Sequence, residues 1–319
     1  DLIREIGLHT EPGSTVQATL LGAGTAFLQA LPADAPLLVQ TVVPTLAAGS
    51  APSGPLVLTG TQAGDGPSTA LVIDARGLPA GTGIALQNIE FGIVLGAATI
   101  TGGAGSQTVF GDDAAQSIVL GADDDVLHGG GGNDTVGSMG GNDRIYGDAG
   151  NDLVFGGAGD DLVDGGTGHD TASFSGAGRA DYAIRIVDGI SVFSHRGGGA
   201  DGTDTVSNVE AIRFGGAAAG SSDLDFNTTD VASLVRMYDT LFTRHADEGG
   251  INFWIAQSES GLSLGEIANY FIHSAEAVQR HGSLDDAAFI DMLYETGLGR
   301  SASDAEAGQW LAQHIQCRF

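Results

Sequence analysis

Residues 102–173 read GGAGSQTVF GDDAAQSIV LGADDDVLH GGGGNDTVG SMGGNDRIY GDAGNDLVF GGAGDDLVD GGTGHDTAS, one nine-residue unit repeated eight times without a phase slip. The first four positions are mostly Gly or other small residues, which allow backbone turns that a Cβ would hinder. The eighth position is always aliphatic, and the triplet around it suits a short strand with that side chain pointing inward. Each unit therefore predicts half a turn of a flattened coil of parallel strands.

The sixth position is acidic in six consecutive units and carries an amide in the two units before them. Its residues are Gln107, Gln116, Asp125, Asp134, Asp143, Asp152, Asp161 and Asp170. If two units make one turn, residues 18 apart stack on one edge, which gives the sets Asp125/Asp143/Asp161 and Asp134/Asp152/Asp170. Carboxylates stacked at the strand spacing of about 4.7–4.9 Å repel each other unless a divalent cation lies between them. Calcium suits such a site because it takes oxygen ligands from carboxylates and carbonyls.

This pattern resembles the RTX (repeats-in-toxin, hemolysin-type) family, whose G-G-x-G-x-D-x-U-x units build a calcium-binding parallel β-roll. The resemblance implies main-chain oxygen ligands from the Gly-rich half-turns, at Gly129, Gly131, Gly147, Gly156, Gly157, Gly159 and Gly165. It implies about four full Ca²⁺ sites, from the pairs Asp125/Asp143, Asp143/Asp161, Asp134/Asp152 and Asp152/Asp170. Gln107 and Gln116 depart from the family pattern, so we expect their pairs with Asp125 and Asp134 to be weak or empty. A solvated Gly-rich linker is the alternative for this stretch, but the phase-locked aliphatic position argues against it.

Composition agrees with an extracellular calcium protein. There are 40 acidic residues against 12 basic ones, which gives a formal net charge of −28, and the chain has no Lys. Nucleic acid is an improbable partner for this charge. Cys317 is the single cysteine, so an internal disulfide is excluded. The sequence has no stretch of about 18 apolar residues, so no transmembrane segment is predicted. The resemblance implies a secreted protein that leaves the cell by type I secretion.

The flanking segments predict further β structure. Residues 50–101 continue the architecture as a metal-free β-solenoid, with Ile100 in the phase of the repeats. Residues 1–49 are a β-rich segment of uncertain fold, in which 14–24 and 35–43 each suit a strand and 1–7 suits a short helix. Residues 174–215 predict a β-hairpin cap that turns at Asp188-Gly189 and covers the open end of the solenoid.

Residues 216–228 suit a linker, and residues 229–319 predict a small all-α domain with an internal repeat of 56 residues. The repeat relates Tyr238, Arg244 and Trp254 to Tyr294, Arg300 and Trp310. Capping boxes are expected at Ser263 with Glu266 and at Ser301 with Asp304. The domain resembles a helical family of unassigned function that often follows RTX repeats in secreted bacterial and surface-layer-like proteins.

The repeated aromatic residues of this domain suit either a sugar platform or a core, and the helical spacing favours a core. The two arginines could hold a partner's carboxylate, although an ion pair within the domain is the simpler interpretation. His128 and His169 fall at repeat positions expected to face solvent, and neither has a second His at ligand spacing, so a transition-metal site is not expected.

The fold class is therefore mainly β: a calcium-binding parallel β-roll and β-solenoid followed by a small helical domain. Two hypotheses for function remain. The first is a secreted, calcium-binding structural or adhesive cell-surface protein that self-assembles or docks onto a surface polysaccharide or protein. The second is a carbohydrate-active enzyme or its targeting module, for which Asp65, Asp74, Arg76 and Glu90 are weak candidate residues. We predict a non-enzymatic protein, since the chain carries neither H-E-x-x-H nor a phosphate-binding loop.

Overall fold

The computed structural model describes residues 1–46, 54–61, 66–176, 178, 181–187, 190–196, 198–215, 223–225, 230–242, 244, 246–282, 286–298 and 300–308. The chain forms two compact units, the first from Asp1–Ala183 with Ile190–Leu224 and the second from Ile184–Gly189 with Asp225–Phe319. The predicted turn at Asp188-Gly189, most of the predicted linker, Asp65, Trp310 and Cys317 lie outside the described residues.

The helices are α1 (Leu2–His9), α2 (Thr15–Ala30), α3 (Asp230–Phe242), α4 (Glu248–Glu259), α5 (Leu264–Ile272), α6 (Ala275–His281) and α7 (Asp286–Leu298). The strands are β1 (Leu37–Val42), β2 (Leu56–Thr59), β3 (Ser68–Asp74), β4 (Thr82–Gln87), β5 (Phe91–Leu95), β6 (Ala98–Thr101), β7 (Thr108–Phe110), β8 (Ser117–Val119), β9 (Val126–His128), β10 (Thr135–Gly137), β11 (Arg144–Tyr146), β12 (Leu153–Phe155), β13 (Leu162–Asp164), β14 (Thr171–Phe174), β15 (Tyr182–Val187), β16 (Ile190–His195), β17 (Thr203–Ser207), β18 (Ala211–Phe214) and β19 (Asp223–Asp225).

Successive strands of the solenoid alternate between two sheets. One sheet has the order β1-β3-β5-β7-β9-β11-β13-β17-β16-β15, and the other has the order β19-β18-β14-β12-β10-β8-β6-β4-β2. In the repeats each strand pairs in parallel with the strand 18 residues away, so that Ile145 lies opposite both Leu127 and Val163. The predicted half-turn per unit is confirmed, and the fold class is the expected parallel β-roll with a helical C-terminal unit.

The core of the roll is a single file of aliphatic side chains in each sheet. Every eighth-position residue is buried, with an exposure of 0 to 2 %. These residues are Val109, Ile118, Leu127, Val136, Ile145, Val154, Val163 and Ala172. A core this thin leaves little apolar area to stabilise the roll, so the edges of the coil must contribute to its stability.

The predicted strand at residues 14–24 is wrong, because this segment lies in helix α2. The Ser14 side chain caps the helix by accepting the Gln17 N–H at 3.0 Å. Val16, Leu20 and Phe27 pack toward the sheet, and the Phe27 ring stacks on Phe91 with centroids 4.6 Å apart. This spacing has the helical period, which the sequence analysis missed. The predicted helix near the N-terminus (α1) and the strand within 35–43 (β1) are confirmed.

Helices α1 and α2 explain the unbroken apolar run in β3. The strand is buried on both faces, because one face points into the solenoid and the other is covered by the helices. At the opposite end β17 pairs in parallel with β13, and β18 pairs in parallel with β14. The segment after the hairpin therefore lies on the last turn of the roll, where the sequence predicted a cap.

The second unit is helical, and its repeated residues have matching surroundings. Tyr238 is 5 % exposed and packs edge-on against Phe271 with centroids 4.9 Å apart, so the core interpretation is confirmed for this residue. Arg244 lies over the Tyr238 ring at 5.1 Å, and Arg300 lies over the Tyr294 ring at the same distance. The two halves thus repeat a cation–π contact as well as a sequence.

Polar contacts in the helical unit settle two further predictions. Arg244 and Arg300 form ion pairs inside the unit, with Glu276 at 2.8 Å and with Glu306 at 2.7 Å, as the simpler interpretation expected. The capping box of Ser263 with Glu266 is present. The second box is two residues later than predicted and joins Ser303 to Glu306. Ser301 instead donates its hydroxyl hydrogen to Glu295.

Candidate metal centre

The six sixth-position aspartates form two ladders along the roll. The first ladder is Asp125, Asp143 and Asp161, and the second ladder is Asp134, Asp152 and Asp170. In each ladder the backbone N–H of one aspartate donates to Oδ1 of the aspartate 18 residues later, at 2.7 to 2.8 Å. One carboxylate oxygen per aspartate is therefore held by the main chain, and the other is free to face a ligand.

The second oxygen of every ladder carboxylate is buried and has no hydrogen-bond partner. These atoms are Oδ2 of Asp125, Asp134, Asp143, Asp152, Asp161 and Asp170, and the same is true of Oε1 of Gln107 and Gln116. The six aspartates are 0 to 3 % exposed. An unpaired buried carboxylate oxygen costs several kcal/mol, so six of them in two ladders indicate that the sites suit a cation.

Main-chain carbonyls lie beside these oxygens. A Cβ built on Gly129 would lie 2.8 Å from Asp134 Oδ2 and 2.7 Å from the Gly147 carbonyl oxygen, so both oxygens converge on the space that the glycine leaves open. Gly147 has the same relation to Asp152 Oδ2 and the Gly165 carbonyl oxygen. Two of the predicted carbonyl donors, Gly147 and Gly165, are thus adjacent to a free carboxylate oxygen.

The other predicted glycines are placed less simply. The Gly129 carbonyl oxygen lies beside Gln116 Oε1, and Gly156 lies against Asp161 Oδ2. The carbonyl oxygen of Gly159 faces Gly202, while Gly157 approaches the Ser138 carbonyl oxygen. Gly131 forms a bridge to Ala149. Their role as calcium ligands remains a prediction.

Burial raises the pKa of the ladder carboxyls. It raises the pKa of Asp134 and Asp143 to about 7, with neighbouring carboxylates adding to the effect and backbone N–H donors opposing it. The same cause raises the pKa of Asp125 and Asp152 to about 6. The pKa values of Asp161 and Asp170 are also raised by burial. Without a cation, ionised carboxylates in these positions oppose folding.

The two glutamines end the ladders toward the N-terminus with different chemistry. Gln116 Nε2 donates to the Gly96 carbonyl at 3.1 Å and to Asp112 Oδ1 at 2.8 Å. Gln107 Nε2 donates to the Ile89 carbonyl at 3.2 Å. Amide hydrogens therefore satisfy carbonyls of the preceding turn, where an aspartate would need a cation. Because Oε1 of both glutamines is nevertheless buried without a partner, weaker calcium binding at the glutamines remains a prediction.

The donor set fits Ca²⁺. It consists of oxygens alone, from carboxylates and carbonyls, and it repeats at the strand spacing. Among the described residues, no group of three or more His, Cys, Asp or Glu side chains is placed to hold a metal ion by itself. A calcium site here therefore needs main-chain oxygens as well as carboxylates, and one carboxylate oxygen and one carbonyl oxygen converge beside Gly129 and again beside Gly147.

The sequence predicts that His128 faces solvent, but its side chain is half-buried. Its ring lies between Phe110 and Tyr146, with centroids 4.5 and 4.3 Å away, and Nδ1 is 3.0 Å from Asp148 Oδ2. His169 is exposed as expected. The stacking arises because ninth-position side chains 18 residues apart lie on neighbouring strands of one sheet.

Two acidic residues that the sequence analysis missed lie at the C-terminal end of the ladders. Asp204 Oδ1 accepts the Asp161 N–H at 3.0 Å, and Glu210 Oε2 accepts the Asp170 N–H at 2.7 Å. The repeat pattern could have identified Asp204 from the sequence alone, since residues 199–207 read GADGTDTVS, with Asp204 at the sixth position and Val206 at the eighth. The segment after the hairpin is thus a displaced unit.

Comparison with known proteins agrees with this geometry. Residues 101–136 and 138–172 match the RTX calcium-binding nonapeptide repeat, in four copies. Residues 268–315 match the domain of unknown function DUF4214. No curated protein and no solved structure matches the chain. The chain therefore carries calcium-binding RTX repeats followed by a C-terminal domain of unknown function, and RTX proteins are typically secreted.

Proposed function

We propose that this RTX-repeat chain is a secreted structural or adhesive cell-surface protein whose roll folds when it binds calcium outside the cell. The observation that carries the proposal is that all six Oδ2 atoms of the two ladders are buried and have no hydrogen-bond partner. The sites proposed are the four aspartate pairs of the ladders, completed by carbonyl oxygens of the Gly-rich half-turns. No described helix is long and apolar enough to cross a membrane.

Calcium would act as a compartment switch for folding. Extracellular calcium modules bind with dissociation constants on the order of 10⁻⁴–10⁻³ M, far above the free calcium of a cytosol. The ladder carboxylates repel each other without the ion, and the thin aliphatic core offers little compensation. Binding then contributes folding free energy directly, since the sites exist only in the folded roll.

The helical unit offers a surface for a partner or for a second copy of the chain. Phe253 is 54 % exposed and Tyr270 is 58 % exposed. Both contact the Trp254 ring, at centroid distances of 5.0 and 5.9 Å. Exposed aromatic side chains grouped in this way are common at protein–protein and protein–sugar contacts.

A carbohydrate-active enzyme is the second hypothesis, and the surroundings of Asp74, one of its candidate residues, argue against it. Asp74 accepts from Arg76 Nε at 2.8 Å and lies 3.3 Å from His9 Nδ1. The Arg76 guanidinium and His9 lower the pKa of Asp74 to about 2. A general acid or base is most effective with a pKa near the working pH, so this carboxylate suits a structural ion pair that holds α1 on the solenoid.

A serine motif in the helical unit has an equally structural explanation. Residues 261–265 read GLSLG, which fits G-x-S-x-G. Ser263 is the N-cap of α5, and its hydroxyl donates to Glu266 Oε2 at 2.7 Å. The hydroxyl is therefore part of a capping box, while a nucleophilic serine needs a neighbouring base such as His.

The test is a calcium titration of the purified protein, followed by circular dichroism and light scattering together, with magnesium as the control ion. A calcium-specific gain of β structure that coincides with growth of large particles supports a calcium-triggered assembling surface protein. The same gain in a particle that stays monomeric favours a binding or enzymatic module and would direct the work to polysaccharide screens. No change in structure on adding calcium would refute the proposal.

A further inference from the structure

We propose that Asp204 and Glu210 of the cap complete two additional calcium sites at the C-terminal end of the roll, with Asp161 and Asp170 respectively. This inference rests on calcium binding by the repeats, and it adds ligands from outside them. The cap would then be attached to the roll through shared ions as well as through strand pairing. Three sets of observations support the two cap sites.

The first set places Asp204 on the first ladder. The Asp161 N–H donates to Asp204 Oδ1 at 3.0 Å, as the Asp143 N–H donates to Asp161 Oδ1 at 2.8 Å. The step along the sequence is 43 residues instead of 18, because the hairpin is inserted between the two units. The fifth position follows the same shift, since the Thr203 N–H donates to Asp160 Oδ1 at 2.8 Å. The displaced unit therefore stacks in register on the roll.

The second set places Glu210 on the second ladder. Ile212 of β18 lies opposite Ala172 of β14, which puts Glu210 beside Asp170. The Asp170 N–H donates to Glu210 Oε2 at 2.7 Å, the bond that an aspartate makes elsewhere in the ladder. Asn208 has a left-handed φ of 50°, and its carbonyl oxygen would collide with a Cβ built on Gly165. Asn208 thus stands where the next unit would supply a glycine carbonyl.

The third set consists of unpartnered oxygens at these positions. Asp170 is 0 % exposed and Asp161 is 3 % exposed, and Oδ2 of each has no partner. A Cβ on Gly165 would lie 2.9 Å from Asp170 Oδ2, so this oxygen and the Asn208 carbonyl oxygen face the same space. A carbonyl from the cap and a carboxylate from the roll therefore converge as they do at Gly129.

The surroundings of Asp204 are acidic and therefore favour a cation. Asp204 is 3 % exposed, and the nearby charges that act on it come from Asp161 and Asp201. A cavity beside it is lined by Gly156, Gly157, Asp201 and Asp204, together with Phe155 and Phe174. Two buried carboxylates in contact are stabilised by a divalent cation with oxygen preference or by a shared proton. The count of bound calcium distinguishes the two.

The experiment measures calcium per chain by equilibrium dialysis and elemental analysis. The variants are Asp204→Asn and Glu210→Gln, which keep size and hydrogen-bond acceptor, with Asp34→Asn in an exposed loop as the charge-matched control. With the four pairs of the ladders and two cap sites, we expect about six ions in the wild type and the control. Each cap variant should bind about one ion fewer.

If the wild type binds about four ions and both cap variants bind the same number, the cap inference is refuted while calcium binding by the repeats stands. If the wild type binds none, the proposed function itself fails.

A second pair of variants tests the inference without altering the cap. With a cap site, Asp161 belongs to two pairs, so Asp161→Asn should lose about two ions while Asp125→Asn loses about one. Equal losses from these two variants would overturn the first cap site. The comparison of Asp170→Asn with Asp134→Asn tests the second cap site in the same way, since Asp170 and Asp134 are the end members of the second ladder.

Discussion

Neutralising one ladder aspartate should have opposite effects on stability with and without calcium. In the calcium-free roll, burial raises the pKa of Asp143 to about 7. The ordinary value is near 4, and each pKa unit corresponds to about 1.4 kcal/mol, so keeping Asp143 ionised costs about 4 kcal/mol above pH 8. Asp143→Asn removes that cost and keeps the oxygen that accepts the Asp125 N–H.

The net gain is smaller than the full electrostatic cost. The new amide hydrogens need acceptors, and a buried unsatisfied polar group costs about 1–3 kcal/mol. We therefore expect Asp143→Asn to stabilise the calcium-free roll by about 1–3 kcal/mol at pH 8. In saturating calcium the variant should be less stable than the wild type, because Asp143 belongs to two proposed sites.

Circular dichroism in chelator measures the first effect as a larger folded fraction of the variant than of the wild type, and urea unfolding in saturating calcium measures the second. Hydrogen exchange of residues 138–164 locates both effects. Asp34→Asn is the control for the change in net charge and should alter neither the folded fraction in chelator nor the urea midpoint in calcium. If Asp143→Asn lowered stability equally with and without calcium, the carboxylate would act only as a hydrogen-bond acceptor, and the expected stabilisation of the calcium-free roll would be wrong.

Acidifying the calcium-free protein from about pH 8 to about pH 5 should increase its β structure. Carboxyls whose pKa is raised by folding contribute stability that is fully present below their unfolded pKa, and this stability is lost as pH rises through about 6 to 7. Circular dichroism with light scattering would detect the change, and constant β content would contradict it. Asp143→Ala should lose more bound calcium than Asp125→Ala, and equal stoichiometry by equilibrium dialysis would reject the ladder arrangement. Gly147→Ala should lower the thermal midpoint, since its Cβ would lie 2.7 Å from Asp152 Oδ2, whereas Gly22→Ala in α2 has open space and should be neutral or stabilising. A similar melting temperature for both glycine variants would argue against a close approach of oxygens beside Gly147.

The repeats could be predicted because two periodicities coincide there. A nine-residue phase fixes both the buried aliphatic position and the sixth-position carboxylate, so strand register and ladders follow from sequence alone. The free Oδ2 atoms could not be predicted in the same way. They depend on which oxygen the backbone N–H of the neighbouring turn engages.

Other parts of the fold depend on contacts between distant segments. The apolar residues of α2 alternate locally like a strand, although Val16, Leu20 and Phe27 also have the helical spacing, and the packing of Phe27 on Phe91 shows that the helical period governs. The 18-residue spacing does not identify Asp204 as a ladder residue, because the inserted hairpin changes the offset between Asp161 and the next ladder residue from 18 to 43 residues. Ser301 and Ser303 both begin an S-x-x-acid pattern, and the structure favours the one that ends in Glu, whose longer side chain reaches back to the N-cap backbone.

Hydrogen exchange measured by mass spectrometry with and without calcium shows directly whether the ion folds the roll. We expect residues 102–173 to exchange rapidly in chelator and to become protected when calcium is added. Helices α3 to α7 should exchange alike in both conditions, because no proposed ligand lies in them. Equal exchange of residues 102–173 with and without calcium would contradict the claim that the ion folds the roll.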